Sequence, residues 1–346
     1  MKNIWTRKDK NKANIILAPM AGYADSAMRG ICKSFGADIV VSEMVSADAI
    51  YHKKQLNVKS EKLKVSELNT LLESDKTLGL MKFNGTERPF VVQLFGKYPE
   101  KFAYAAKWVE ENIKPDGIDI NMGCPARKVV GSDHGSALLK NPKLACEIVR
   151  AVKEKVSVPV SVKTRLGWEN DDEILEFAPK LIKTGIDALI IHGRTYKDGF
   201  KGKARWKNIY KLKVENQKLK VQTAIIGNGD VEDYKDALSK SSNDEVKLDG
   251  VMIGRAAFGK PWIFSNSSRP TTYDLGPTIL KHAKLAYGSK GEHGIIEFRK
   301  HLLAYLKGLN NAKKFRVEAV KVKSLKDVEE IIKEVKNQSI GSGNIL

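Results

Sequence analysis

Cys124 is the residue in this sequence best placed to do chemistry. It stands between Gly123 and Pro125 in Asn121-Met-Gly-Cys-Pro125, directly after the apolar run Gly117–Ile120. A structural thiol packs as a small hydrophobe on an apolar face, which is how Cys32 and Cys146 read from their neighbours. A thiol at a strand tip among polar residues is available as a nucleophile or as a proton donor, and the pattern leaves both roles open. Lys163 ends a strand otherwise made of Val and Ser, where an ammonium either reaches solvent at a barrel mouth or partners an anion. His192 ends another run and is a candidate donor to phosphate or substrate, with a satisfied structural histidine as the alternative. Two glycine turns, Gly227-Asn-Gly-Asp230 and Gly254-Arg255, follow the last two strand-like runs. Glycine lets backbone N–H groups close on phosphate oxygens, and the helix start that follows favours an anion.

Those residues need a frame that brings strand ends together. Eight short apolar, β-branched runs recur: Asn14–Ala18, Asp38–Ser42, Phe90–Leu94, Gly117–Ile120, Pro159–Lys163, Ala188–His192, Thr223–Gly227 and Gly250–Ile253. Helical periodicity fills most gaps, at Ser26–Phe35, Glu100–Ile113, Pro142–Lys155, Asp172–Thr184 and Val231–Leu238. Strand alternating with helix predicts a parallel sheet with right-handed crossovers, and eight such units predict closure into a (β/α)8 TIM barrel. Active sites of such barrels lie at the C-terminal face. There the eight runs end in polar or special residues, among them Pro19, Met20 and Ala21, then Gln93, Asn121, Arg165, Arg194 and Arg255.

Two stretches fall outside the repeat. Residues 52–88 form a lysine-rich insertion between the second and third strands, expected to pass over the barrel with a helix at Val65–Leu72. After the barrel, taken as 1–265, the strand signal stops, and helices are expected at Thr278–Tyr287, Ile295–Leu309 and Ser324–Val335. They define a C-terminal all-α domain over 277–336, followed by a flexible tail, 337–346. The chain carries a formal charge of +19, which suits either a solvated lysine-rich surface or a polyanionic partner. Distribution favours the partner: Phe298–Val317 holds Arg299, Lys300, Lys307, Lys313, Lys314 and Arg316, no acidic residue, and the interleaved aromatics Phe298, Tyr305 and Phe315. Three cysteines without Cys-x2-Cys spacing argue against a disulfide framework or a zinc site, so no metal is expected. No apolar run reaches the roughly 18 residues that a membrane span needs. No leader-like segment opens the chain and the cysteines are few, so a reducing cytoplasm is expected; a monomer is expected too.

The residues now on the page resemble bacterial tRNA-dihydrouridine synthases, most closely the B-type branch. The resemblance is carried by Ala18-Pro-Met-Ala-Gly22, Val41-Ser-Glu-Met44, Val92-Gln-Leu-Phe-Gly96, Asp119-Ile-Asn-Met-Gly-Cys-Pro-Ala-Arg-Lys128, Gly135-Ser-Ala-Leu-Leu139, Val162-Lys-Thr-Arg-Leu-Gly-Trp168, Ile191-His-Gly-Arg-Thr195, Gly227-Asn-Gly-Asp230 and Met252-Ile-Gly-Arg-Ala-Ala257 with Pro261-Trp-Ile-Phe264. It spans about Asn14 to Phe264 and, more weakly, the helical tail. It implies FMN held by Pro19, Met20, Ala21, Gln93, Lys163, His192, Asn228, Gly229, Asp230, Gly254 and Arg255. It implies NADPH or NADH as reductant, hydride transfer to carbon 6 of a D-loop uridine in tRNA, and Cys124 as proton donor to carbon 5. Asn121, Arg127, Lys128, Arg165 and Arg194 would line the substrate side, and Arg299, Lys300, Lys313, Lys314 and Arg316 would grip the RNA. Two stretches depart from the family pattern: the long 52–88 link, and Gly131-Ser-Asp-His134, where a more basic loop is expected. The alternatives are an FMN barrel acting on a free pyrimidine, like dihydroorotate dehydrogenase, and a catalytically silent RNA-binding barrel.

Overall fold

The structure, a computed structural model, describes residues 3–7, 9, 12–54, 63–218, 223–266 and 272–341. Asn14–Leu17 (β1), Ser26–Ser34 (α1) and Ile39–Ser46 (β2) open the chain, followed by Ala47–Lys54 (α2) and Val65–Ser74 (α3). Phe90–Phe95 (β3), Pro99–Asn112 (α4), Gly117–Met122 (β4), Arg127–Val130 (α5) and Pro142–Lys153 (α6) come next. Then run Val160–Arg165 (β5), Glu173–Ile182 (α7), Ala188–His192 (β6), Lys207–Gln217 (α8), Ala224–Asn228 (β7), Tyr234–Lys240 (α9) and Gly250–Ile253 (β8). Thr272–Tyr305 (α10), Ala312–Ala319 (α11) and Leu325–Gly341 (α12) complete the described chain. All eight strands pair in parallel, and β8 returns to β1 with Asn14 opposite Gly250 and Leu17 opposite Ile253. The barrel is closed, as the eight-fold alternation of strand and helix requires.

Alternation along each strand separates two apolar populations. Ile16, Val41, Val91, Ile190, Ile226 and Met252 cluster with Trp5 in the lumen, while the opposite strand faces pack with the helices in the larger core. Above the apolar lumen layer the inward positions turn polar: Gln93, Asp119, Asn121, Ser161 and Asn228, all buried. β2 runs past the expected Ser42 to Ser46 through a register shift between Val41 and Met44. That irregularity carries the buried Glu43, whose polarity hides the strand from a hydrophobic reading.

The 52–88 connection packs against the outside of the barrel. Its helix α3 leans Leu68, Leu71 and Leu72 on the main core, and Leu78 and Met81 are buried in it. The Leu63 N–H donates to Asn112 Oδ1 of α4 at 3.0 Å. Residues 55–62 of this connection lie outside the described residues. The basic tail differs more from expectation. α10 is two helices that meet at a break where Lys290 (φ −143°) and Gly291 (φ +59°) leave the helical region, so the expected helices Thr278–Tyr287 and Ile295–Leu309 lie on either side of it. α12 continues to Gly341, through the start of the expected tail, because no Pro or Gly interrupts it earlier. Phe298, Tyr305 and Phe315 are 1%, 3% and 1% exposed and form the heart of the second hydrophobic cluster with Ile279, Leu302 and Val328. The interleaved aromatics are therefore core residues of the helical bundle and do not offer stacking faces to RNA.

α10 packs along α1, and a buried polar group marks the seam. Asp25 caps α1 by accepting the Met28 N–H at 2.9 Å, and its carboxylate lies 3.3 Å from Lys300 Nζ and 3.7 Å from His301 Nε2. His282 Nδ1 is 3.0 Å from the Tyr305 hydroxyl. The ligand atoms of Asp25, His282 and His301 lie within 4.8 Å of one another, but a metal cation there would have to compete with the Lys300 ammonium for the same carboxylate. Burial holds the His282 imidazole well below its ordinary pKa, so it folds neutral. Unfolding returns it to a pKa of about 6.5, so below that pH the unfolded chain binds a proton that the fold refuses. Stability is then expected to fall by about 1.4 kcal/mol per pH unit from this group. Thermal or urea denaturation between neutral pH and mild acid checks it: His282→Gln should show a shallower decline than the parent chain.

Candidate functional site

A cavity of about 1430 Å³ opens at the C-terminal mouth of the barrel, and every strand or its following loop lines it. β1 gives Pro19, Met20 and Ala21, β2 gives Met44, and β3 gives Gln93. β4 and its loop give Asn121, Gly123, Cys124 and Arg127, and β5 gives Lys163 and Arg165. β6 gives His192 and the loop Tyr196–Lys201, β7 gives Asn228, Gly229 and Asp230, and β8 gives Gly254 and Arg255. The structure thus gathers all the residues assigned to cofactor binding, together with Cys124, around one space.

Cys124 is half-buried and its loop is held from both sides. Asn121 Oδ1 accepts the N–H groups of Gly123 and Cys124 at 3.1 and 2.9 Å. The Cys124 carbonyl accepts the Ser136 N–H at 3.1 Å. Gly135 adopts φ +59°, and a Cβ there would stand 2.9 Å from the Cys124 carbonyl oxygen, so glycine is what lets this loop close on Cys124. Asn121 Nδ2 donates to Gln93 Oε1 at 2.8 Å and lies 3.8 Å from Met44 Sδ.

Lys163 is half-buried on the cavity floor, and its ammonium donates to the amide oxygen of Asn228 at 3.1 Å. Burial and the nearby Arg165 push its pKa down to about 8. His192 is held well below its ordinary pKa by burial and by Lys163, Arg165, Arg194 and Arg255, so it is neutral. Its Nε2 lies 3.4 Å from Arg194 Nη1; arginine only donates, so Nε2 accepts and the ring proton sits on Nδ1. Gly229 has φ +123°, and a Cβ there would meet Ala204 Cβ at 2.8 Å and the His192 ring at 3.2 Å. No larger residue fits the turn after β7. Asp230 gives its carboxylate to Arg194 Nη2, at 2.7 and 2.8 Å, and to the Ala204 N–H at 2.7 Å.

Arg194 is consequently a brace. It is 2% exposed, also donates to the carbonyls of Lys201 and Gly202, and is absent from the cavity wall. Arg165 lines the cavity, yet it too is committed, to the carbonyls of Gly123, Thr195 and Gly199. Arg127 lies exposed on the wall; Lys128 beside it is exposed and outside the lining. In the helical bundle, Lys313 and Arg316 are exposed, whereas Lys314 pairs with Glu334 of α12 at 3.3 Å. Arg299 donates to the Val322 carbonyl at 2.7 Å. Lys300 faces the barrel mouth, with Nζ 5.7 Å from the centre of the Tyr23 ring.

The aromatic lining escapes a reading based on strand ends. Tyr23 stacks on Phe258 at 4.2 Å between ring centroids. Phe200, 58% exposed, lies between Arg165 and Arg255, whose guanidinium carbons are 5.6 and 4.9 Å from the ring centre. Phe200 sits between Gly199 and Gly202, both at positive φ, and that glycine bracket is the one sequence signal that marks the loop.

The profile of the family described as "Dihydrouridine synthase (Dus)" matches residues 16–340. The chain belongs to the dihydrouridine synthase family. Dihydrouridine is a reduced uridine, so membership makes the chain an oxidoreductase. Among relatives of this dihydrouridine synthase, a "Probable tRNA-dihydrouridine synthase" of Aquifex aeolicus is 32% identical over 339 residues, covering 95% of this chain and 98% of the relative. "tRNA-dihydrouridine synthase B" of Vibrio parahaemolyticus is 37% identical over 317 residues, covering 88% and 90%. A solved complex of 2-naphthoyl-CoA reductase with 2-naphthoyl-CoA superposes with a TM-score of 0.50 at 12% identity, over 72% of this chain and 49% of that one, a likeness of fold alone. Among the described residues, no helix is long and apolar enough to cross a membrane.

Proposed function

We propose that this dihydrouridine synthase reduces the C5=C6 bond of D-loop uridines in tRNA, with FMN seated in the barrel-mouth cavity and NAD(P)H as reductant. The observation that carries the reading is the pairing of Cys124 with Lys163 across one cavity: a half-buried thiol on the wall and a half-buried cation on the floor. The hydrogen bond described for that cation goes to a neutral amide, so the site suits the electron-rich edge of a flat heterocycle. The volume exceeds what a single drug-sized ligand needs, consistent with a cofactor and a nucleobase together. FMN, when bound, supplies the hydride to carbon 6 of the uridine. Pro19, Met20, Ala21, Gln93, His192, Asn228, Gly229, Gly254 and Arg255 would hold it, while Asp230 acts through Arg194 and the Ala204 N–H. Hydride addition to a double bond conjugated with a carbonyl builds enolate charge, and Cys124 quenches it by giving its proton to carbon 5. Residues 277–336 would act as the tRNA-gripping domain beside the barrel, 1–265.

Mapping dihydrouridine in tRNA from cells with and without the gene tests the reading; an unchanged pattern overturns it. Two further outcomes follow from named residues. Lys163 is a base with its pKa near 8, so its positive charge is present below that pH and is lost as pH rises through it. FMN retention is expected to weaken across that window, and Lys163→Met should show the weak state throughout; equilibrium dialysis against FMN measures both. Replacing Lys313 and Arg316 with alanine should weaken tRNA binding and flatten its salt dependence by about one unit of slope per lost phosphate contact. Lys314→Ala should do less, because Glu334 already neutralises it. Filter binding over a salt series separates these, and unaltered slopes would remove the helical bundle from the RNA interface.

A further inference from the structure

We propose that Asp119 is a positioning residue: it fixes the orientation of the Gln93 amide and, through it, of Asn121 and the Cys124 loop. The inference rests on the reading of Cys124 given above.

Asp119 faces the lumen from β4 and is 2% exposed. Its two oxygens accept from Ser161 Oγ at 2.6 Å and from Gln93 Nε2 at 2.7 Å. A carboxylate only accepts, so Gln93 must turn its NH2 group toward Asp119. Its Oε1 is then the atom that meets Asn121 Nδ2 at 2.8 Å. That in turn leaves Asn121 Oδ1 to receive the N–H groups of Gly123 and Cys124. The chain of amides has a polarity, and it is fixed independently at its two ends: by an acceptor-only carboxylate at one and by donor-only backbone N–H groups at the other. The two ends agree. Reversing either amide sets donor against donor at one contact and acceptor against acceptor elsewhere.

A protonated Asp119 withdraws one of the two constraints, because its O–H can donate to a reversed Gln93, and the backbone N–H groups acting through Asn121 are then the remaining opposition to reversal. Burial raises the Asp119 carboxyl to about 6, with Ser161, Gln93 and Lys163 opposing the rise. On the flanking strands the charged groups are Lys163 and Arg165 of β5; β3 has none. Asp119 is therefore ionised at neutral pH and protonated in mild acid. Gln93 also keeps one amide N–H beyond the bond to Asp119, which gives the cavity a donor of fixed direction for a heterocycle carbonyl.

The test compares Asp119→Ala, which removes the acceptor, with Asp119→Asn, which keeps an acceptor for Gln93 and lets the Ser161 hydroxyl rotate to accept the new N–H. The first readout is the alkylation rate of Cys124 by iodoacetamide in the protein as purified, followed by peptide mass analysis across pH. The wild type should show a change in rate through about pH 6 on top of thiolate formation. Asp119→Ala should differ from wild type by roughly fivefold or more at neutral pH. Asp119→Asn should return toward the wild-type rate and show no change near pH 6. The second readout is turnover: Asp119→Ala should lower kcat roughly 10- to 100-fold while tRNA affinity stays the same. Equal behaviour of wild type and Asp119→Ala, or of the two variants, overturns the proposal. If Asp119→Ala does not fold, the pH profiles decide, and a change near pH 6 that survives in Asp119→Asn overturns it. A wild-type protein that makes no dihydrouridine but shows the alkylation pattern would sink the functional reading and leave Asp119 in place.

Discussion

Cys124→Ala is expected to lower dihydrouridine formation by about 10²- to 10⁴-fold, the range that loss of a positioned general acid produces. FMN content and tRNA affinity should stay near those of the parent protein. The Cys124 side chain carries no part of the hydrogen bonding that shapes the loop: Asn121 holds its N–H, and Ser136 binds its carbonyl. Alanine keeps both backbone contacts and the close packing against Gly135, so the variant removes the thiol and little else. Single-turnover reduction of a tRNA transcript separates the steps. Loss of the product with normal binding assigns the thiol to chemistry, and undiminished product removes Cys124 from the proton-donor role. Cys124→Ser should fall between the two, since a hydroxyl occupies the same place but gives up a proton far less readily than a thiol. Cys32 and Cys146 are buried in the core, so neither can substitute.

The strand ends were legible because chemistry and pattern coincide there. β1, β3, β4 and β6 to β8 are short apolar runs closed by a glycine or a polar side chain, and a barrel has one face where all such endings meet. What escaped notice has physical causes. α8 carries few apolar anchors, burying Ile209 and Leu212 alongside Lys213 and Asn216, so its periodicity is faint. Arg194 stands at a strand end like Arg255, and only the fold shows that Asp230 folds back on it at positive φ and takes its charge out of the cavity. Composition cannot distinguish aromatics that stack on bases from aromatics that fill a bundle. Phe298, Tyr305 and Phe315 lie in a basic run, yet the bundle has a core to build and uses them for it. The acid-free run likewise meets Glu334 from α12, a partner that sequence order places far away. Asp119 is visible in the sequence as part of a motif, but its partners come from β3 and β5, and only strand register brings them together.

Arg29→Met is expected to destabilise the fold by about 3–5 kcal/mol, the cost of leaving one partner of a buried ion pair behind. Arg29 lies on α1 and Glu87 at the end of the 52–88 connection; Nε and Oε2 are 2.6 Å apart, and each side chain is 1% exposed. The guanidinium also donates to the carbonyls of Ala24 and Lys82 at 2.6 and 2.7 Å and lies 4.8 Å from the centre of the Phe90 ring. Glu87 accepts from Ser26 Oγ at 2.5 Å and from the Asn84 N–H at 2.7 Å. Removing Arg29 strands a buried carboxylate and two carbonyls. Glu87→Gln keeps an acceptor for Ser26 and Asn84 but turns its NH2 group toward Arg29 Nε and leaves the buried guanidinium without its counter-charge, so it should destabilise as well. The double variant Arg29→Met/Glu87→Gln should fall short of the sum of the singles, because the stranded charge is absent from it. Urea denaturation midpoints with unchanged slopes measure all three. A loss below about 1 kcal/mol for Arg29→Met would place the pair among ordinary surface bridges. The expected result makes the end of an apparent surface excursion a fixed part of the barrel wall. It also ties that wall to the helix whose cap, Asp25, receives Lys300 and His301 from the helical bundle, so the connection steadies the seam on which both halves of the molecule meet.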